Sequence, residues 1–148
     1  LFATGDDIES ILCNKNKELI YTINDDDILE CYSMVEHKVK FKLPKDVDEA
    51  ILDTDGEYLI TKTSISTIDI WDAISGRHLE EIDMGIFIKA LKFDNNTNKL
   101  QLLIRNYGIF ELDIYISPEE FEKIKSNPRK LTEQELKDFN INSFYSLF

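Results

Sequence analysis

Few side chains in this chain could bind a transition metal. There are two histidines, His37 and His78, and two cysteines, Cys13 and Cys31. Neither histidine lies at ligand spacing with either cysteine, and no Cys-x-x-Cys pair occurs. We therefore expect no metal site and place both histidines on the surface or at strand ends. Each cysteine lies in an apolar stretch and is predicted to be a buried, unpaired thiol in a reducing compartment.

Two acidic segments could attract cations. The segment Asp53-Thr54-Asp55-Gly56 is similar to half of a calcium loop. It lacks the third acidic position before the glycine and the glutamate that closes a 12-residue loop, so it is predicted to be a capped turn. The run Asp25-Asp26-Asp27 is a solvated hairpin tip that could meet a cation or a basic partner.

The residue patterns of common catalytic sites do not occur. The sequence has no Gly-x-Ser-x-Gly elbow, no recognisable Ser, His and Asp order, and no phosphate-binding Gly-x-x-x-x-Gly-Lys loop. Its five glycines are not clustered. We therefore predict a protein without catalytic residues and without a cofactor.

Composition narrows the range of partners. The 148 residues include 17 basic and 29 acidic side chains, for a net charge of −12. Nucleic-acid affinity depends on Lys and Arg meeting phosphates, so this charge disfavours a nucleic-acid partner. No apolar run approaches the roughly 18 residues of a membrane helix, and no signal peptide is evident. These features predict a cytoplasmic protein, and the apolar start at Leu1 suggests a segment of a longer one.

The elements that position these residues follow from an internal repeat. When the sequence is aligned with itself at one constant shift of about 40 positions, residues 9–12 align with 49–52, and residues 49–52 align with 89–92. In the third copy the shift is one position longer after the Asn-rich turn, from Lys99 onward. A complete copy has four short apolar runs, which in the middle copy span 48–53, 57–63, 67–72 and 78–83. Four strands in each repeat predict an antiparallel meander, and a period of about 40 residues is typical of a propeller blade.

Apolar groups on both faces of a strand support stacked blades over a single sheet. In the middle copy, Ile68, Ile70 and Trp71 place apolar groups on both faces. A sheet with one solvated face would alternate cleanly between apolar and polar residues. These strands are therefore expected to lie between neighbouring sheets.

The middle copy resembles a WD repeat. Three segments carry this resemblance: Asp53–Leu59 resembles the turn between the first two strands, Thr67–Asp72 the third strand with its Trp-Asp ending, and Ile74–Leu79 the next turn and strand. In the flanking copies the Trp-Asp pair becomes Cys31-Tyr32 and Leu112-Asp113. The resemblance covers residues 1–116 and implies a protein-interaction scaffold.

Residues 117–148 form a distinct tail. Capping boxes at Ser117-Pro118-Glu119-Glu120 and Thr132-Glu133-Gln134-Glu135 predict one or two short helices. A last propeller strand followed by such helices is similar to the end of WD-repeat sensor regions in STAND-type (NACHT) signalling ATPases. That resemblance implies an alternative function, a sensor that restrains an ATPase whose nucleotide site lies outside this chain.

The predicted fold is therefore all-β. It is a partial propeller of about three four-stranded antiparallel blades in residues 1–116, followed by the helical tail in 117–148. Three blades do not close a ring, because propellers close with about four to eight. The third copy lacks its fourth strand, which an earlier strand or residues 143–148 could supply. The remaining blades are expected from the parent chain or from self-association.

The loops between second and third strands and between blades are the predicted partner-binding site. These are the loops 24–27, 44–48, 64–66, 84–87 and 105–107. Their acidity predicts a protein partner with a basic surface and salt-sensitive association. The residues assigned to this site are Asp25, Asp26, Asp27, Asp46, Asp48, Arg105 and Tyr107.

Overall fold

The computed structural model describes residues 7–105 and 108–113 as three antiparallel sheets. The first sheet contains β1 (Ile8–Asn14), β2 (Leu19–Asn24), β3 (Leu29–Ser33) and β4 (Lys38–Lys42). The second contains β5 (Glu49–Leu52), β6 (Tyr58–Lys62), β7 (Thr67–Asp72) and β8 (His78–Asp83). The third contains β9 (Ile88–Asp94), β10 (Lys99–Ile104) and β11 (Gly108–Leu112).

Each sheet is a meander, because every strand pairs with the one before and after it in sequence. The first strands of the sheets, β1, β5 and β9, are neighbours in space, as expected for blades that radiate from a common axis. The all-β prediction is confirmed. The tail 117–148 and the possible fourth strand 143–148 lie outside the described residues.

Polar side chains fix the turns between strands. The Asp53 carboxylate accepts hydrogen bonds from the backbone N–H groups of Glu57 and Tyr58, at 2.8 and 2.9 Å. The Asn24 side-chain oxygen accepts one from Ile28 N–H at 2.8 Å. The segment around Asp53 is thus a capped turn, as its sequence predicts.

Neighbouring sheets pack against each other through two apolar cores. The side chains between the first and second sheets include Leu19, Tyr21, Ile23, Leu29, Cys31, Val47, Leu59 and Trp71. Those between the second and third sheets include Ile60, Ile68, Ile70, Met84, Leu91, Leu100, Leu102 and Phe110. In β7, Ile68 and Ile70 belong to one core and Trp71 to the other. The second sheet is therefore buried on both faces, as the sequence predicts.

The interval between the first two sheets is one position shorter than the sequence shift suggests. Met34 N–H donates to Glu18 O, and Ala73 N–H donates to Glu57 O, both at 2.9 Å. Because these two hydrogen bonds are equivalent, Glu57 corresponds to Glu18 and Ala73 corresponds to Met34. The spacing between these corresponding residues is one position shorter than the shift that aligns residues 9–12 with 49–52.

This difference corrects the alignment of the first copy. Tyr32 and Ser33, and not Cys31 and Tyr32, occupy the positions of Trp71 and Asp72. A slip of one residue moves every side chain of a strand to the other face. Cys31 consequently faces the second sheet, where burial raises the pKa of its thiol to about 12.

The prediction for the other cysteine was wrong. Cys13 is exposed, because it lies on β1 with most of that strand's side chains open to solvent. Ile11 on the same strand is 59% exposed. The apolar stretch around Cys13 is therefore a surface of the first sheet within the described part of the chain, and apolar character alone does not reveal this.

No helix among the described residues has the length and apolar character needed to cross a membrane.

Candidate partner-binding rim

Backbone hydrogen bonds join the predicted binding loops into one surface. We call this surface the loop rim, and it comprises residues 24–28, 43–48, 63–67, 84–88 and Arg105. Val47 N–H donates to Asp27 O at 2.7 Å, which joins the first turn to the connection between the first two sheets. Asp48 N–H donates to Lys62 O at 2.9 Å and extends the contact to the second sheet.

The same pattern continues to the third sheet. Ile88 N–H donates to Ile65 O at 2.8 Å, and Arg105 N–H donates to Phe87 O at 3.0 Å. Backbone bonds of this kind hold loops at fixed positions relative to one another. The loop rim is therefore a continuous edge of the molecule that runs across all three sheets.

The predicted site residues form two groups on this rim. Five aspartates lie on its first half, and we call them the acidic part: Asp25, Asp26, Asp27, Asp46 and Asp48. Arg105 lies at the other end, on the third sheet, and is exposed. Tyr107 lies outside the described residues.

Most of the acidic part is exposed to solvent. Asp25, Asp26, Asp46 and Asp48 are exposed, and Asp27 is half-buried. Asp48 lies 3.5 Å from the Lys62 ammonium. Among the residues that the structure describes, the other four aspartates make no comparable ion pair.

Lys45, which directly precedes Asp46 in the sequence, is instead paired with carboxylates of the second sheet. Its ammonium donates to the carboxylates of Asp69 at 2.7 Å and Glu81 at 2.5 Å. Lys45 belongs to the connection that carries Asp46 and Asp48, so its contacts tie this connection to the second sheet. They also prevent the lysine from neutralising the acidic part.

Asp69 is the centre of a cluster just beneath the rim. Its side chain is fully buried and contacts the Lys45 ammonium, the Thr63 hydroxyl at 2.5 Å and the His78 ring at 2.5 Å. The His78 ring also packs edge-on against Trp71, with 4.6 Å between ring centroids. Burial alone would raise the pKa of Asp69, but hydrogen bonds from these three partners outweigh it and lower that pKa.

Sequence reasoning did not identify this cluster. His78 lies at a strand end, as predicted, but its contact with Asp69 was not foreseen. The available signal is an acidic residue within the run Ile68-Asp69-Ile70-Trp71, where only apolar side chains are expected. A buried carboxylate needs a cation or several donors, and those donors come from distant positions.

Two exposed apolar residues on the rim were also missed as individual site residues. Ile65 is 64% exposed and Phe87 is 39% exposed. Arg105 places its guanidinium carbon 5.7 Å from the centroid of the Phe87 ring. Both loops were assigned to the site from the sequence, but the sequence does not show which of their apolar residues are exposed.

The opposite rim carries the other turns, at 15–18, 34–37, 53–57, 73–77 and 95–98. It has a shallow cleft of about 290 Å³ between the first and second sheets. The buried Asn14 amide donates to Gly56 O at 2.7 Å beside this cleft. In the described part of the chain, no group of three or more His, Cys, Asp or Glu residues could hold a metal ion.

The fold has counterparts among solved structures. The crystal structure of the RRP9 WD40 repeats shares 18% identity with the chain at a TM-score of 0.64, over 77% of this chain and 37% of that one. The structure of U3-55K gives the same identity and TM-score over 77% and 38%. No protein-family model and no curated protein sequence matches the chain.

A third similar structure is that of an enzyme. Dihydro-heme d1 dehydrogenase NirN, in complex with DHE, shares 13% identity at a TM-score of 0.66, over 88% of this chain and 29% of that one. The chain thus spans less than two fifths of each of these three proteins.

These similarities define the fold of the chain. The three sheets have the fold of consecutive β-propeller blades, as in the WD40 structures. The resemblance to STAND-type ATPases gains no support from these structures. Its residues, 117–139, lie outside the described part of the chain.

Proposed function

We propose that the chain is a non-enzymatic recognition scaffold that binds a protein partner through the loop rim. The observation that carries this proposal is the series of backbone hydrogen bonds that joins the loops into one edge. A rigid edge loses little conformational freedom on binding, which favours affinity. The WD40 neighbours support a role in protein interaction, and recognition of this kind needs no catalytic group.

The partner is proposed to present a basic surface. Asp25, Asp26 and Asp46 are exposed on the rim, while Lys45 is held by Asp69 and Glu81. Complementary charges accelerate encounter and suppress wrong partners. The net charge of −12 argues against nucleic acid and against an anionic membrane surface as partners.

Further blades are part of the proposal. Ile11 and Val39 on the first sheet are 59% and 43% exposed, on a sheet whose other face is packed. A propeller closes with about four to eight blades. A longer parent chain or self-association would supply the others, with residues 1–116 as blades and 117–148 as a separate tail.

A cytoplasmic location is proposed from the state of the two cysteines. Both thiols are free, and that of Cys13 is exposed. Exposed free thiols persist in reducing compartments and are oxidised elsewhere.

The test measures association with and without the acidic part. Proteins that bind the chain are isolated from extract of its source cells, and the association rate constant of each purified partner is measured. The triple variant Asp25→Asn, Asp26→Asn, Asp27→Asn is expected to associate about tenfold more slowly at about 0.05 M salt. At about 0.5 M salt the two rates should converge, because ions screen exposed charges.

A charge-matched control removes three acids from the opposite rim: Glu36→Gln, Asp55→Asn and Glu57→Gln. It has the same net charge as the test variant and should bind like the unmodified protein. Equal rates for the test variant and the unmodified protein would show that the partner does not use the acidic part.

A further inference from the structure

The loop rim has an apolar part beside its acidic part. We call Ile65 and Phe87 the apolar anchor. Their side chains are 64% and 39% exposed, although the loops that carry them are joined by backbone hydrogen bonds. Single exposed apolar residues are common, but two on adjacent, fixed loops of a proposed binding edge form a contact surface.

Internal contacts hold Ile65 in place. On either side of it, the Ser64 hydroxyl donates to Thr67 Oγ1 at 2.9 Å, and the Ser66 hydroxyl donates to Asp83 Oδ1 at 3.0 Å. Both neighbouring polar side chains are thereby engaged within the molecule. The apolar side chain between them is left as the exposed group at the tip of a fixed loop.

Phe87 is held in a similar way. Ile88, the next residue, donates its N–H to Ile65 O, and Arg105 N–H donates to Phe87 O. The Arg105 guanidinium lies 5.7 Å from the ring centroid, within the range of a cation–π contact. One face of the ring is thus supported, and a preorganised aromatic ring is the kind of group that dominates binding at interfaces.

The acidic part and the apolar anchor are continuous. Asp48 N–H donates to Lys62 O, and Lys62 directly precedes the segment 63–67 that carries Ile65. A partner that covers the aspartates therefore reaches the apolar anchor without leaving the rim.

We propose that the occupant of this surface is an extended segment of another protein that has Lys or Arg residues next to an aliphatic or aromatic residue. This inference rests on the proposed function and specifies its partner. Charge complementarity assigns the basic residues to the acidic part, and burial of apolar area assigns the apolar residue to Ile65 and Phe87. A second copy of the chain is disfavoured because both copies carry a net charge of −12.

The experiment uses a random library of twelve-residue peptides displayed on phage, selected against the protein and against two variants. One variant is Ile65→Ser with Phe87→Ser, and the other is the triple Asp25→Asn, Asp26→Asn, Asp27→Asn. Peptides enriched on the unmodified protein are expected to combine basic residues with an apolar one. The first variant should lose the apolar preference, and the second should lose the basic preference.

The most enriched peptide is then synthesised and its affinity measured by fluorescence anisotropy. Phe87→Ser is expected to weaken binding at least about tenfold, as for a buried aromatic contact. Replacing the apolar residue of the peptide by Ser should cause the same loss, and the two changes together should cost no more than either alone.

Ile74→Ser is the matched control, because Ile74 is 37% exposed on the opposite rim. It should leave the affinity unchanged. Circular dichroism and thermal unfolding show whether each variant remains folded.

Two outcomes separate the failure of this inference from that of the proposed function. If enriched peptides are basic without an apolar preference and Phe87→Ser binds them normally, the inference is overturned while the acidic rim stands. If enrichment does not depend on the aspartates, the proposed function is overturned as well. Light scattering that shows a dimer lost on Phe87→Ser would identify a second copy as the occupant and also overturn the inference.

Discussion

The two interfaces between the described sheets are built differently. Between the first and second sheets, directional polar contacts accompany the apolar core. The Tyr21 hydroxyl donates to Ala73 O at 2.7 Å, and the Asn14 amide donates to Gly56 O at 2.7 Å. Trp71 Nε1–H donates to Thr61 Oγ1 at 2.9 Å within the second sheet, on the face that meets the first.

Between the second and third sheets, the buried side chains are almost entirely aliphatic, with Phe110 as the aromatic member. Polar contacts lie toward the margin of this interface. The Glu49 carboxylate accepts a hydrogen bond from Leu91 N–H at 3.2 Å, and the Thr54 hydroxyl meets Asn95 Oδ1 at 3.2 Å.

Apolar packing and buried hydrogen bonds respond differently to substitution. Apolar packing has little directional preference and tolerates swaps that conserve volume. Buried hydrogen bonds add little net energy, but a buried group left without its partner is costly. We therefore expect the first interface to be sensitive to chemistry as well as to shape, and the second interface to be sensitive mainly to volume.

The largest expected effect comes from removing the central aromatic residue of either interface. Trp71→Ala and Phe110→Ala should each lower the free energy of unfolding by about 3–5 kcal/mol, because each leaves a large cavity. The two side chains are about 1% exposed, so the comparison is matched in burial. Urea unfolding followed by circular dichroism measures both values.

Conservative substitutions at the same positions should distinguish the interfaces. Trp71→Phe leaves the fully buried Thr61 hydroxyl without its donor and should cost about 2–4 kcal/mol. Phe110→Leu removes no hydrogen bond and should cost about 1–2 kcal/mol. Equal losses for these two variants would remove the distinction between the interfaces.

Two glycines mark close approaches at the first interface. A Cβ atom on Gly76 would lie 2.5 Å from Phe41 Cδ2, and one on Gly56 would lie 2.4 Å from Asn14 Nδ2. Both residues have positive φ, at 72° and 67°. Gly76→Ala and Gly56→Ala should each cost about 2–4 kcal/mol through steric overlap and backbone strain.

Gly85→Ala is the control for the backbone contribution, since Gly85 also has a positive φ, of 60°, and lies in an exposed turn. It should cost about 1 kcal/mol. A similar loss in all three glycine variants, measured as the shift in urea midpoint, would show that steric overlap at the interface contributes nothing.

The lowered pKa of Asp69 predicts that the first interface loses stability in acid. Its pKa lies below the ordinary value of 3.8 in the folded protein, so its contribution is fully present above that value. The contribution is lost as the pH falls below 3.8 toward the lower folded pKa. Asp69→Asn should cost about 1.5–3 kcal/mol at pH 7 and lessen the decline of stability in acid.

Urea titrations at a series of pH values from about 7 to about 2 measure this effect. Asp55→Asn, at an exposed turn, is the control for removing one surface carboxylate, and Asp69→Asn should change the profile more than this control does. An Asp69→Asn profile parallel to that of the unmodified protein would contradict the assignment.

The raised pKa of Glu49 predicts the smallest change in stability, at the second interface. Its dependence on pH has the opposite sign to that of Asp69. Burial raises its pKa above the ordinary value of 4.5, and the hydrogen bond from Leu91 N–H only partly offsets this. Its ionised form therefore costs stability at neutral pH, and that cost disappears as the pH falls through the raised pKa. Glu49→Gln keeps an amide oxygen as acceptor and should change stability at pH 7 by less than about 1 kcal/mol. A clear loss at pH 7 in the same titrations would contradict this sign.

The sequence was sufficient for the strands of the second sheet. The predicted runs 67–72 and 78–83 match β7 and β8, because their apolar pattern and turn residues agree. The first sheet was assigned with the wrong register. Apolar residues occur at adjacent positions in Ile28-Leu29 and Cys31-Tyr32, so two shifts that differ by one position both align them, and only the hydrogen bonds decide.

The candidate site was also predictable only in part. Loops at one rim follow from the order of strands in a meander, so their grouping was predictable. The contacts of Asp69 with Lys45, Thr63 and His78 join residues that are far apart in the sequence, and no local pattern encodes them. The exposure of Phe87 likewise depends on which neighbouring loops cover it.

The changing interval between sheets has a consequence for how such a molecule can diversify. The two connections between sheets can be compared between corresponding paired strand residues. The first connection runs from Lys42 to Ala50, and the second runs from Glu81 to Leu91. The second connection is two residues longer, and it is the one that presents Phe87. Extra length is thus absorbed at the edge while the ladders on either side keep their pairing. New recognition chemistry can therefore arise there by insertion, without any repacking of the body that supports it.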